Sequence, residues 1–254
     1  MPGQIAGNAR IVVVGGSLAG VRTVQSLRRK GWEDEIVLVA GEPGAEDGIA
    51  VDRPPLSKEY LGDPDTAATP LTTAEELSGL GVRLVVGHAR DLDLDGRRVI
   101  LHGGEHVAFG RLVLATGSVP RTVPDLEPRP GVHVLRTARD AAAIRAAATA
   151  GSSVVVVGGG FIGAEVAWTL SRRGCRLTVV EPLPALLMRG LGPELGATLT
   201  RRHAAAGIDL RLGAGVAAVE GPDRVEAVRL TDGARVPADL VVLGLGTVPA
   251  TAWL

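Results

Sequence analysis

The chain has a single cysteine, Cys175, in 254 residues. An internal disulfide, a CxxC redox pair, a cysteine-built zinc site and an iron–sulfur cluster are thereby excluded. Aromatic residues make up only 2%, so the core has to be assembled from Val, Leu, Ile and Ala. Lysine is nearly missing: Lys30 and Lys58 are the only two among 27 basic residues. Neither sign of charge is in excess, with a formal net charge of -1, which argues against a nucleic-acid or membrane surface as the main partner. No apolar run reaches membrane length, and the opening MPGQIAGNAR lacks the charged-then-apolar build of a signal peptide, so a cytoplasmic protein is expected. The five histidines (His88, His102, His106, His133 and His203) show no metal-ligand spacing and read as exposed loop residues, so no metal is expected.

Glycine, by contrast, is abundant at 35 residues, and it falls in turns rather than in a low-complexity run. Two stretches align without a gap. Arg10 to Gly31 reads RIVVVGGSLAGVRTVQSLRRKG, and Ser153 to Gly174 reads SVVVVGGGFIGAEVAWTLSRRG. Gly15, Gly20, Leu27 and Gly31 recur as Gly158, Gly163, Leu170 and Gly174. Each copy opens with a β-branched apolar run suited to a parallel strand buried on both faces. A glycine-rich turn follows, then a helix stopped by glycine, then a second apolar strand, EIVLVA at 35–40 and RLTVVE at 176–181.

In such a unit the first glycine makes the tight turn and the last permits close helix–strand packing. The middle one lets a pyrophosphate approach the helix N-terminus. The second copy has all three, Gly158, Gly160 and Gly163, with Phe161 and Ile162 between the last two. The first copy has Ser17 at the middle position, followed by Leu18 and Ala19. An acidic residue after the second strand commonly takes ribose hydroxyls, which fits Glu181 directly and Glu42 one small loop later. A carboxylate at Glu181 would repel a 2′-phosphate and favour NADH over NADPH. A duplicated scaffold whose glycines serve only packing is the competing reading.

VDRPPLSKEY at 51–60 stands apart. Paired prolines fix φ and remove two donors, so the segment is expected not to begin as helix or central strand. They set Arg53 and Lys58 around a stiff backbone, as if to hold an anionic or electron-rich ligand. ARDAAAIRAAATA at 138–150 reads as a surface helix and GDPDTAATPLT at 62–72 as a loop.

VVVGGSLAG, DRPPLSK, LVLATGSVPR, VLRTARDA, VVVVGGGFIGAEVA and ADLVVLGLGTVP, in that order, resemble the FAD-dependent pyridine nucleotide-disulfide oxidoreductases. Within them, DRPPLSK is similar to the ferredoxin/rubredoxin reductase branch that feeds oxygenases. The resemblance implies an α/β fold of two Rossmann-like dinucleotide-binding domains, an FAD domain with an inserted NAD domain. It divides the chain into 1–121, the first part of the FAD-binding domain, 122–246, the inserted NAD(H)-binding domain, and 247–254, the start of the return. It implies FAD and NAD(H) as cofactors, NADH as donor, and a small [2Fe-2S] ferredoxin or rubredoxin as acceptor.

The resemblance also implies roles for particular residues. Lys58 reaches the isoalloxazine and pairs with Glu165, the two forming the hydride site; Arg53 lies near the FAD diphosphate or adenosine. Thr116 and Gly117 pass against FAD, Ala89 holds the adenine by its backbone, and Gly246 lies near the nicotinamide. Arg136 either contacts FAD or merely flanks a helix, and Glu165 could equally serve the helix dipole alone. Other flavin reductases or oxidases of the superfamily, or a non-catalytic nucleotide-binding module, remain alternatives. Members of the family continue beyond TVPATAWL into the second half of the FAD domain and a C-terminal domain. The sequence therefore reads as a piece lacking both, expected to bind FAD weakly or not at all by itself.

Overall fold

The computed structural model describes residues 10–122, 126 and 130–254. MPGQIAGNA, read above for a signal peptide, lies outside them, as do 123–125 and 127–129 beside the expected boundary at 121. The described residues form two compact units. The first comprises residues up to Asp52, Thr69–Val119 and Pro249–Leu254; the second comprises Arg53–Ala68 and Pro120–Val248. The DRPPLSK lysine thus travels with the second unit, although in chain order it lies between strands of the first.

In the first unit four parallel strands lie in the order Val82–Val86, Ile36–Ala40, Ile11–Val14, Arg111–Leu114. The run IVVV is apolar throughout because both of its faces are covered. Ile11 and Val13 pack with Val21 and Val24 of the Leu18–Arg29 helix. Val12 and Val14 pack with Val99, Leu101 and Val107 of a small antiparallel sheet. Alternate side chains of a strand point to opposite faces, so a central strand between two layers has no polar position. The second unit repeats the plan with five parallel strands in the order Asp209–Leu212, Arg176–Glu181, Ser153–Val157, Leu240–Leu243, Val132–Val134. Val155 and Val157 meet Val228, Leu230 and Val236 of its own antiparallel sheet.

Both duplicated helices stop in the same way. Trp32 N–H donates to Leu27 O and Gly31 N–H to Arg28 O; Cys175 N–H donates to Leu170 O and Gly174 N–H to Ser171 O. Gly31 and Gly174 both have φ of +81°, the left-handed conformation this double closure requires. The recurring Leu27/Gly31 and Leu170/Gly174 pairs are the sequence trace of that motif.

Three expectations need correction. Pro54–Ser57 is a 3-10 turn with proline at its first two positions, leading into a short helix, Glu59–Gly62. The first helical positions have no intrahelical use for an N–H and want φ near that of proline, so the pair starts the turn instead of forbidding it. Ala138–Ala147 is helical but not a surface element on all sides, since Ala141 and Ile144 are fully buried. His203 is no loop residue either: it is buried on the Met188–Ala205 helix, its ring nitrogens 2.9 Å from Leu199 O and 3.1 Å from Ala164 O. No helix among the described residues is long and apolar enough to cross a membrane.

Arg28 ties the first unit's helix ends together. Its guanidinium donates to the carbonyls of Trp32, Asp34, Leu80 and Gly81 at 2.6–2.8 Å. Only a planar fork reaches all four. Arg28→Lys should therefore destabilise the chain nearly as much as Arg28→Ala, by about 1–3 kcal/mol in urea unfolding. Full retention of stability by Arg28→Lys would show that the fork is unimportant.

Candidate functional site: two glycine turns and a lysine–glutamate pair

Parallel α/β sheets present their binding loops at the carboxyl ends of the strands. In the first unit those loops carry most of the expected FAD residues. Gly15, with φ of +125°, has no room for a side chain: a Cβ would overlap Ala115 O, next to Thr116. A Cβ on Gly20 would overlap Gly15 O. Ser17 is the N-cap residue of the Leu18–Arg29 helix, yet its hydroxyl makes no cap hydrogen bond. Leu18 and Ala19 are exposed beside it. Glu42 is half-buried, with its N–H donating to Gly48 O, and follows Gly41, where a Cβ would crowd Gly87 O and His88. Ala89 comes directly after that loop, at the start of Ala89–Asp93. Gly117, with φ of +69°, is exposed at the end of the unit's last parallel strand, and its carbonyl accepts the N–H of Ala250.

The second unit repeats this geometry with glycine at the middle position as well. A Cβ on Gly158 (φ +103°) would lie 2.5 Å from Gly244 O, and one on Gly163 would overlap Gly158 O. Gly160 differs: a Cβ there meets nothing within 4 Å. It is exposed at the N-cap of the Phe161–Arg172 helix with extended backbone, followed by exposed Phe161 and half-buried Ile162. Gly158 and Gly163 are thus glycines for packing, while the space above Gly160 is left clear over a helix N-terminus. That clearance fits a pyrophosphate, for which amide N–H groups and a positive helix end are the needed donors.

Glu181 closes the Arg176–Glu181 strand and is buried, with 8% exposure. Its carboxylate accepts the N–H of Gly159 at 2.7 Å and that of Leu183 at 2.9 Å. It therefore braces the glycine turn, a role the sequence reading did not assign. Each carboxylate oxygen retains a second lone pair, so ribose hydroxyls remain possible donors. Gly246, with φ of +84°, accepts the N–H of Arg121. Arg136 lies half-buried just before the Thr137 N-cap, its N–H donating to Asp140 at 3.1 Å. Arg53 is half-buried at the start of the Pro54–Ser57 turn.

Lys58 and Glu165 meet in the second unit. Lys58 Nζ lies 2.9 Å from Glu165 Oε2 and also donates to Pro54 O at 2.9 Å. The two side chains are 42% and 34% exposed, so the pair contributes at most about 1 kcal/mol to stability. What it does is bring a cation to the helix that follows the glycine turn. Several groups hold the segment there. Ser57 Oγ donates to Glu165 Oε2 at 2.6 Å, and Thr169 Oγ1 donates to Ser57 O at 2.7 Å. Arg145 donates to the carbonyls of Tyr60 and Asp63 and stacks on the Tyr60 ring, while Arg173 reaches Leu61 O. Ser57, Thr169, Arg145 and Arg173 were missed in the sequence. The available signals were the place of Ser57 next to Lys58 and the helical spacing of Glu165 and Thr169.

Two parallel sheets, each with a glycine turn packed against the carbonyl just past a strand, define a paired Rossmann-like fold of the dinucleotide-binding type. The chain belongs to the pyridine nucleotide-disulphide oxidoreductase family, whose sequence model matches residues 9–254. It is 37% identical over 243 residues to the ferredoxin--NAD(+) reductase component of the p-cumate 2,3-dioxygenase system of Pseudomonas putida, across 95% of this chain and 59% of that one. Among solved structures it is similar to the ferredoxin reductase for the CYP199A2 system of Rhodopseudomonas palustris, with a TM-score of 0.88, 33% identity, and coverage of 96% and 60%. It is also similar to the covalent putidaredoxin reductase–putidaredoxin complex, with a TM-score of 0.86, 35% identity, and coverage of 94% and 59%. The chain thus spans about three-fifths of the length of these relatives.

The two kinds of glycine predict different outcomes. Gly163→Ala drives a methyl into a backbone carbonyl and should cost at least about 3 kcal/mol in thermal or urea unfolding. Gly160→Ala should melt within about 1 kcal/mol of the parent. Equal destabilisation by both would show that the space above Gly160 is not open.

Proposed function

We propose that the second unit binds NADH at Gly158–Gly163, that the first binds FAD at Gly15–Gly20, and that the whole protein passes electrons from NADH through FAD to a small iron–sulfur protein. The acceptor is of the [2Fe-2S] ferredoxin or rubredoxin kind, as in a system feeding an oxygenase, and the protein works in the cytoplasm. The observation that carries this reading is the Lys58–Glu165 pair beside the open glycine turn. Relatives named as ferredoxin--NAD(+) reductase components support the choice of acceptor.

Flavin takes up two electrons as hydride and releases them one at a time, which is the chemistry such a relay needs. The residues of this chain bind and orient. The Gly160 turn receives the NADH diphosphate, and Glu181 holds the turn in shape while accepting ribose hydroxyls. Ser17 and the Gly15–Gly20 turn receive the FAD diphosphate, with Leu18 and Ala19 contributing main chain. Glu42 serves the adenosine ribose, Ala89 the adenine, and Thr116 and Gly117 the flavin side; Arg53 and Arg136 also contact FAD. Gly246 borders the nicotinamide. An ammonium has three protons, and among the described residues those of Lys58 are committed to Pro54 O and Glu165 Oε2, leaving one for a ligand. A cation there stabilises negative charge that develops on reduction.

Titration calorimetry of the 254-residue chain with NADH, followed by anaerobic spectra with saturating FAD, tests the proposal. NADH should bind the parent, and Gly160→Ala should weaken that binding at least about tenfold without unfolding the chain. Lys58→Met should slow bleaching of added flavin by NADH roughly 100-fold. Glu181→Arg should raise the ratio of NADPH to NADH affinity while lowering both, because Gly159 loses its acceptor. Absence of NADH binding would overturn the reading. Binding without any flavin reduction would make the chain a nucleotide-binding module with no catalysis.

A further inference from the structure

Two donors converge on one oxygen in the second unit. Glu165 Oε2 accepts from Lys58 Nζ at 2.9 Å and from Ser57 Oγ at 2.6 Å, while among the described residues nothing donates to Oε1. Ser57 is one of the few buried polar residues of the described chain, at 5% exposure. A half-exposed ion pair does not confine a lysine, whose flexible stem loses rotamer entropy to hold one geometry. A buried hydroxyl on a carboxylate does confine: it is charge-assisted, short and shielded from water.

The main chain of the same serine is held as well. Thr169 Oγ1 donates to Ser57 O at 2.7 Å, and Thr169 lies four residues after Glu165 on the Phe161–Arg172 helix, hence on the same face. One face of one helix therefore grips Ser57 at two points, side chain and carbonyl. Lys58, the next residue, stands at the joint between the Pro54–Ser57 turn and the Glu59–Gly62 helix, with its N–H on Pro55 O. Its backbone follows wherever Ser57 is held.

We infer that Ser57 is a positioning residue for Lys58: its hydroxyl fixes the Glu165 carboxylate, and the carboxylate fixes the ammonium in the reaction proposed above, on which this inference rests. Thr169 is the second half of the same latch. The chemistry stays with Lys58. Ser57 acts only through Glu165, so removing the hydroxyl and removing the carboxylate's charge must overlap in effect.

The scarcity of lysine makes the test direct. Lys30, exposed at the end of the Leu18–Arg29 helix, is an internal reference for Lys58. The full chain is treated with limiting acetylating reagent without nucleotide, and the ratio of Lys58 to Lys30 modification is read by peptide mass spectrometry. Ser57→Ala and Glu165→Gln should each raise that ratio, by up to about 5-fold, the scale of a half-exposed ion pair set free. The double variant should show no more than Glu165→Gln alone. Ser57→Thr, which retains the hydroxyl, should restore the parent ratio, and Thr169→Val should give a smaller increase. If Ser57→Ala does not fold, Ser57→Cys, with its weaker donor, carries the same comparison. An unchanged ratio in the serine variant, or effects of Ser57 and Glu165 that multiply, would overturn the inference. Because the labelling needs no nucleotide, a failed reductase reading shows instead as missing NADH binding with the lysine ratios still moving together.

Discussion

Everything in this chain depends on backbone lying against backbone at two glycine turns. In each unit the carbonyl of the first glycine occupies the place a side chain would take on the last, Gly15 against Gly20 and Gly158 against Gly163. The helix can then start close against the strand, with Ser17 or Gly160 at its N-cap. A single methyl at the packing positions would push the helix from the sheet. Burial of the valine faces depends on that closeness, and so does the orientation of the helix that carries Glu165 and Thr169.

On this frame the Arg53–Ala68 segment is held by polar contacts more than by apolar burial. Glu165 and Thr169 grip Ser57, while Arg145 and Arg173 hold the carbonyls at the end of the short helix that follows. Leu56 and Leu61 contribute buried apolar surface, but the direction of Lys58 is set by hydrogen bonds. Apolar burial is non-directional and would leave the lysine free to swing. Hydrogen bonds to a helix face fix it in angle as well as distance.

The duplicated strand–turn–helix–strand units were legible because everything that makes them is local. β-Branched runs report burial on both faces, glycine spacing reports the turn, and the Leu27/Gly31 and Leu170/Gly174 pairs report the helix stop. The approach of Lys58 to Glu165 came from resemblance; no spacing in the sequence shows it. Ser57 sits inside DRPPLSK, yet its role is not legible there, because its partner lies 108 residues away. Arg145 and Arg28 were illegible for another reason: an arginine that gathers main-chain carbonyls looks like any surface arginine. Pro54 and Pro55 misled differently: the rule that excludes proline from a helix interior reverses at the first turn, where both of them lie. Glu181 was recognised as an acid in the right place, but its hold on the Gly159 amide required knowing where the turn's amides point.

The segment that carries Lys58 is made long before its support exists. Ser57 and Glu165 are separated by 108 residues. At ordinary synthesis rates of about 5–20 residues per second, that separation amounts to roughly 5–20 s between the emergence of one and the other. During that interval the first unit's strands are already emerging around an insert with no helix to dock on. Paired prolines shrink the range of conformations the waiting stretch can sample, and its polar surroundings, GDPDTAAT, keep it from collapsing onto the apolar strands nearby. The late-arriving helix then captures a short, stiff, water-compatible ribbon, so this part of the chain finds its support only after 108 further residues have been made.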